Sequence, residues 1–311
     1  MTHFSFLQEI PEGYALGFEP WLFLHQKHLA LQSPCIWKQF YIASPSKKII
    51  AGHLHFVVDE GQAVSPFKAP FGSLQCVDRL PVKVIFDFLV YVINELTKCD
   101  IHRISIKSPP ENYQPEVSTV LSTCLVNLGF HIQSEIGTFI KIDGVFEKKL
   151  NSWQARKLRQ CETAGFGFRE LTLNENEIDR IYTFILKCRN ERGYKLSIDL
   201  TTLLKTCQEF PTRYHLFSVE EDGELCAASV AINVGNRILY NFISAHPHEY
   251  DSMSPVVVLM KGMYRFCVDN NFAQLDLGTS AIEGKPNFSL LDFKIGLGGI
   301  PSSKFTFSKV L

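Results

Sequence analysis

No run of apolar residues in this sequence approaches the roughly 18 that a membrane-spanning helix requires, so a helical membrane protein is excluded. Cysteine pairing signals are also missing: nine cysteines lie scattered without a single Cys-x-x-Cys. The opening residues, MTHFSFLQEIPEG, carry neither the basic nor the hydrophobic region of an export signal. Together these absences predict a cytoplasmic, reducing location and no disulfide framework. Charge of one sign is lacking as well. With 31 Lys and Arg against 32 Asp and Glu, the net charge of −1 excludes a strongly basic nucleic-acid coat or an acidic disordered tail. A local basic patch remains compatible with that balance. Absent too are the GxxxxGK[ST] phosphate loop, the HExxH zinc helix, the GxSxG nucleophile elbow and the GxGxxG dinucleotide turn. His53 and His55 share one face of a strand-like stretch, and His246 and His248 flank Pro247, but neither pair has a third ligand at usable spacing. The expectation is no metal.

What is present fits a globular enzyme-sized protein. The 311 residues exceed the usual domain of about 100–200, which predicts two domains. Hydrophobic residues make up 46%, and 25 phenylalanines stand mostly in strand-like or mixed apolar segments, as large aromatic cores would have them. Cys124 and Cys267 sit among apolar neighbours and read as small core residues.

The order of elements repeats. A strand at Lys48 to Val58 is followed by a second extended stretch, the loop SPFKAPFGS, a long apolar helix opened by Pro81, and the alternating strand His102 to Lys107. In the second half, strands at Glu224 to Val234 and Arg237 to Ser244 precede the loop AHPHEYDSMS, a helix with Ser254 as N-cap and Pro255 at its first position, and a strand at Gln274 to Leu277. Corresponding points are 174 residues apart (81 to 255) and 171 apart (104 to 275), so two copies of one β-β-α-β module are expected. Such apolar helices need cover on several sides, which a mixed sheet flanked by helices provides. A helix from Glu116 to Leu128, stopped by Gly129, and a strand near Thr138 to Ile142 close the first domain. The boundary falls at Asp143–Gly144, giving domains 1–144 and 145–311.

Past the boundary, residues 147–159 carry +4: Lys148, Lys149, Arg156, Lys157 and Arg159 against Glu147. Asn151 or Ser152 would cap a helix there, with Trp153 and Leu158 on its covered side and Arg156 and Arg159 sharing another face. A second helix, Glu177 to Glu191, turns Ile178, Ile181, Ile185 and Cys188 inward, with Arg189 and Arg192 at its end. Arginines offer paired donors to phosphate, although a solvated face would show the same letters. The stretch DLGTSAIEGKPNFSLLDFKIGLGG joins a strand to a turn and a polar loop. There Gly296 and Gly298 would let backbone approach a ligand, and Lys294 would neutralise a phosphate or an oxyanion.

Three blocks make the sequence resemble the FemAB-type branch of the GNAT superfamily, acyltransferases with two related domains. They are the Arg-rich helix WQARKLRQCETAGFGFREL, the hairpin–loop–helix from Glu224 to Cys267, and LDLGTS followed by the Phe-Lys and glycines of 291–299. The resemblance covers most of residues 147–299, with the first half as a degenerate copy. It implies an α/β fold of tandem GNAT-like domains, each a mixed, mostly antiparallel sheet flanked by helices. It also implies transfer of an acyl group from acyl-CoA to a small-molecule or peptide amine, without metal. The Arg/Gln-Gly-x-Gly/Ala signature for acyl-CoA pyrophosphate is missing; the loop His246 to Ser254 stands in its place. FemAB-type relatives use aminoacyl-tRNA instead, which is the alternative donor, though no long heptad segment marks the coiled-coil arm such relatives often carry. A non-catalytic binding module is the third reading. It predicts that Lys294, Arg156 and Arg159 do not converge on one cleft. Under the resemblance, Lys294 serves the donor phosphate or the oxyanion, while Arg156, Arg159 and Arg192 contact donor phosphates or substrate. Asp276, at a strand end, and Ser280, in the turn after it, are further candidates. Tyr240 would donate to the leaving group, or be a core aromatic. His246 would take the ammonium proton, or sit in a surface turn.

Overall fold

The computed structural model describes residues 3–32, 36–282 and 284–311, which divide into two compact units, 1–135 with 302–311, and 136–301. Elements of the first part of the chain are β1 (Ser5–Leu7), β2 (Ala15–Leu16), α1 (Gln26–Gln32), β3 (Ile36–Ser44), β4 (Ile49–Asp59), β5 (Gln62–Ser65), β6 (Gln75–Cys76), α2 (Val82–Thr97), β7 (Arg103–Lys107) and α3 (Pro115–Asn127). There follow β8 (His131–Lys141), α4 (Ser152–Thr163), β9 (Gly167–Leu171), α5 (Glu175–Glu191), α6 (Leu200–Glu209), β10 (Tyr214–Glu221), β11 (Glu224–Gly235) and β12 (Ile238–Ala245). The rest is α7 (Val256–Asp269), β13 (Gln274–Thr279), the short pair β14 (Ala281–Ile282) and β15 (Lys285–Pro286), α8 (Phe288–Gly296) and β16 (Ile300–Val310). This is a mixed α/β fold, open sheets flanked by helices.

The repeated module is present in both units. β4 runs antiparallel to β5, and β5 lies parallel to β7 after the crossover through α2. Likewise β11 runs antiparallel to β12, and β12 lies parallel to β13 after the crossover through α7. A parallel pair needs such a crossover, and an apolar helix supplies it while covering the sheet. In the first unit Phe88, Leu89, Val92 and Leu96 of α2 pack with Leu54 and Phe56 of β4. In the second, α7 buries nine of its residues, among them Val257, Leu259, Met260, Met263 and Cys267. Each such large side chain contributes about 1.5–3 kcal/mol by leaving water.

Three features differ from the sequence expectation. The strand containing Thr138 does not close the first sheet: residues 137–141 of β8 pair antiparallel with β13 in the second unit. The open edge of β7 is completed instead by the chain's last strand, with Thr306 opposite Lys107 and Val310 opposite Arg103. Residues 302–311 therefore belong to the first unit, and the second begins at Ile136 rather than at residue 145. Ser254 is not a cap: it takes φ +62°, its side chain makes no capping bond, and Pro255 precedes the first helical residue, Val256. The stretch read as a polar loop leading to Lys294 runs from Phe288 onward into helix α8, capped by Asn287, whose side chain accepts from Leu290 N at 3.1 Å. Of the two cap candidates for α4, Asn151 is the cap, accepting from Gln154 N at 2.8 Å, and Ser152 is the first helical residue.

Candidate functional site

The site begins where two parallel strands part. β12 and β13 are paired only at Ile238–Gln274, Leu239–Leu275 and Tyr240–Asp276, yet β12 runs on to Ala245 and β13 to Thr279. Both strands carry the cause. In β12 the pairing with β11 jumps from Asn241 to Ile243, so Phe242 is an extra residue, and such a bulge bends and twists its strand. In β13 the pairing with β8 shifts between Asp276 and Thr279; Gly278 takes φ +72°, and its N–H donates to Asp276 Oδ1 at 2.7 Å. Glycine is needed there because left-handed backbone is strained for other residues. The wedge opens into a cleft of about 970 Å³ lined by Asn241, Phe242 and Ser244 on one strand and by Leu277, Gly278 and Thr279 on the other.

Lys294 fills the apex. From the last turn of α8 its Nζ donates to Gly278 O at 3.0 Å and Thr279 O at 2.8 Å, carbonyls that the parting of the strands leaves available. An ammonium has three donors, so one remains for a ligand in the cleft. Burial pushes the Lys294 pKa down to about 8; the Asp276 carboxylate opposes this shift and the Arg189 guanidinium adds to it. The Tyr240 phenol is driven upward, first by burial and then by the charge of Asp276, so it stays protonated and able to donate. Arg189 also lines the cleft, donating from Nη2 to Ser244 O at 3.1 Å while its Nε has no hydrogen-bond partner.

At another part of the lining, Arg192 donates to Asp251, which also bonds His246 Nε2 at 2.9 Å and His248 Nδ1 at 3.1 Å. Burial works against the Asp251 charge, but the bonds from Arg192 and the histidines hold its pKa at about 2. Burial and the Arg192 charge lower the His246 pKa, and Asp251 only partly restores it. These contacts fix the loop before α7. Ser254 N donates to Tyr250 O at 2.8 Å and Val257 N to Ser254 O at 3.0 Å. Pro255 has no N–H. The start of α7 therefore has few amides left for an anion.

Of the residues singled out from the sequence, Lys294, Tyr240, His246 and Arg192 meet in this one cleft. Asp276 does not line it but lies buried beside it, 3% exposed, where its charge acts on Lys294 and Tyr240. Ser280 is buried outside the lining, its hydroxyl unpartnered. Gly296 and Gly298 are packing residues rather than a ligand cradle: a Cβ would stand 2.6 Å from Asn151 Nδ2 at the first and 2.5 Å from Lys149 Cβ at the second. Arg156 and Arg159 are exposed on α4 and absent from the lining, because the helix turns Gln154, Leu158 and Cys161 inward. Trp153, expected on the covered side, is 42% exposed and stands at the cleft. His53 and His55 are buried in the first unit, and no group of three metal-ligating side chains occurs among the described residues. The main residue that the sequence reading left without a role is Arg189. Its signal was position: it extends the Ile181–Ile185 row of α5 by one more turn, an arginine on a buried face.

Residues 148–288 match the family model described as "Acetyltransferase (GNAT) domain". Solved structures extend the likeness over the chain. FemX superposes with a TM-score of 0.69 at 13% identity, covering 93% of this chain and 92% of its own. The chain has the FemAB/GNAT-superfamily acyltransferase fold. L-PGS from Bacillus licheniformis is similar with a TM-score of 0.59 at 10% identity, covering 90% of this chain and 85% of its own. A tandem GNAT protein from the clavulanic acid biosynthesis pathway gives 0.52 at 11% identity, with coverage of 88% and 83%. No curated protein matches the sequence. In this fold, the parted strands and α8 hold every lining residue named above except Trp153 on α4, Arg189 on α5, Arg192 just after it and His246 in the loop before α7.

Proposed function

We propose that the protein is an enzyme that transfers an aminoacyl group from an aminoacyl-tRNA ester to a small-molecule or peptide amine. The observation that carries acyl transfer is the wedge between β12 and β13, with Lys294 held at its apex by two backbone carbonyls. A neutral amine attacks the ester carbonyl, its electron pair forming the C–N bond while the carbonyl electrons move onto oxygen. The remaining N–H of Lys294 meets that oxyanion; a positioned oxyanion donor is worth about 2.7–4 kcal/mol of barrier. As the tetrahedral intermediate collapses, the C–O bond breaks, and the departing alkoxide takes a proton for which the Tyr240 hydroxyl is the available donor. The amine's surplus proton leaves to solvent or to His246. No acyl-enzyme is needed, so the buried cysteines have no part.

The start of α7 favours the tRNA ester over acyl-CoA. A pyrophosphate there would need free helix-terminal amides, and Pro255 and the Val257–Ser254 bond remove two of them. Arg189, half-buried in the lining without an acidic partner, suits an anionic donor or acceptor. The exposed placement of Arg156 and Arg159 is what a binding module would also show, so activity is the deciding measurement.

The experiment combines one titration with a turnover assay. Protein is incubated with tRNA carrying labelled amino acids and an amine panel, and acetyl-CoA is titrated by calorimetry. Amine-dependent transfer of label, no acetyl-CoA heat, and a loss of at least about tenfold in turnover for folded Lys294→Ala support the proposal. Saturable acetyl-CoA binding weakened by Lys294→Ala would return the donor to acyl-CoA. Neither transfer nor binding would leave the non-catalytic module.

A further inference from the structure

Asp276 does not line the cleft, yet the groups at its apex are arranged through this one side chain. β13 loses its pairing with β12 after Asp276, and its pairing with β8 shifts between Asp276 and Thr279. Neither ladder therefore holds Leu277 and Gly278. The buried Asp276 carboxylate does so instead: its Oδ1 accepts from Gly278 N at 2.7 Å, a turn in which Gly278 takes φ +72°. Gly278 O and Thr279 O, the next carbonyls along that turn, are the two that accept from Lys294 Nζ. Tyr240 rests on the same turn, because a Cβ built on Gly278 would stand 3.5 Å from its ring and 3.7 Å from its hydroxyl. Charge makes a further link. Lys294 spends two of its three N–H donors on neutral carbonyls, so those bonds leave its buried charge uncancelled. The charges that reach it are Asp276 on β13, which favours the ammonium, and Arg189 on α5, which opposes it.

We infer that Asp276 is the positioning residue of this site: its side chain pins the turn that aims two carbonyls at Lys294 and seats Tyr240, and its negative charge keeps Lys294 an ammonium. The consequence for turnover rests on the acyl transfer proposed above; the hold on Lys294 does not. A side chain that only pinned the turn would be replaced by an amide without effect on Lys294, since Asn accepts the same Gly278 N–H. The other titratable groups of the lining leave the range near pH 8 clear. Arg189 is a fixed cation. Burial and the Asp276 charge drive Tyr240 upward, burial pushes Cys188 up to about 11, and burial with Arg192 lowers His246. Asp292, on α8 itself, is exposed.

The test compares Asp276→Asn, which keeps an acceptor for Gly278 N and removes the charge, with Asp276→Ala, which removes both. Lys294 is titrated by NMR in the full chain with isotope-labelled lysine, its signal assigned by its loss in Lys294→Arg. Turnover is followed against pH in the same proteins. Expected is a Lys294 midpoint at about 8 in the unaltered chain. In Asp276→Asn it should fall by at least about half a pH unit, because a nearby opposite charge favours the ionised form. The alkaline limb of kcat should move down with it, so that the loss of rate shrinks as pH falls. In Asp276→Ala turnover should drop at least about tenfold at every pH. A Lys294 midpoint unmoved in Asp276→Asn would overturn the inference. So would an Asn variant slowed equally at all pH values with its limb in place, which is what mere structural damage gives. The near-isosteric Asn variant decides the matter even where Asp276→Ala fails to fold. Because the NMR titration needs no substrate, the two readings fail separately: a shifted midpoint without any acyl transfer would sink the reaction and leave the positioning role, and transfer with an unmoved midpoint would do the reverse.

Discussion

Lys294 gives up most of its hydration to sit between two strands, and its chemistry follows from that loss. With its pKa lowered to about 8 by burial, it is a cation at neutral pH and loses its charge within reach of ordinary assays. If that charge meets the oxyanion, turnover should fall as pH rises through about 8, and a kcat–pH profile checks it. Lys294→Arg keeps its charge well past that range and should shift the limb upward; an unmoved limb would assign it to another group. His53 titrates with the opposite consequence for stability. Burial holds its pKa at about 4, so the unfolded chain, near 6.5, binds the proton more readily. Stability from this residue is complete above about pH 6.5 and lost as pH falls toward 4, roughly 2 kcal/mol between pH 7 and 5. Urea denaturation at the two pH values should show a smaller difference in His53→Gln.

At the scale of elements, α7 shows how packing turns composition into geometry. Gly262 sits where α7 crosses β9: a Cβ there would stand 2.0 Å from the Phe168 ring, which itself stacks on Phe217 at 5.5 Å. Gly262→Ala gains helix propensity but must displace an aromatic ring, and overpacking of that kind costs about 1–3 kcal/mol. Thermal unfolding should therefore show a lowered midpoint; an unchanged or higher one would mean that Phe168 has room to move. The apolar rows of α2, α3, α5 and α7 were legible because helix period and capping are local. Helix α8 was not. Its nine residues carry Phe288, Leu290 and Ile295 outward, so no single apolar face announces it, and its glycines read as loop.

For the whole molecule, the completion of the sheets carries the sharpest prediction. Phe307, fully buried in the first unit's core, arrives from residues 302–311 and packs against residues some 200 positions earlier. Phe307→Ala should cost about 3–5 kcal/mol. Limited proteolysis should then find new cuts within residues 1–135 while 136–301 stays protected; cuts confined to 136–301 would contradict that assignment.

The sequence alone determined the two β-β-α-β modules, most helix bounds, a cap for α4 at Asn151 or Ser152 and the candidacy of Lys294, Tyr240, His246 and Arg192, because these rest on periodicity, turns and residue chemistry. Tertiary structure decided the rest. Whether β8 or β16 completes β7 depends on pairing between residues as distant as Lys107 and Thr306, which no local pattern encodes. The same holds for Arg189 in the cleft and Arg156 outside it, since which helix face is buried depends on the sheet and helices packed against it.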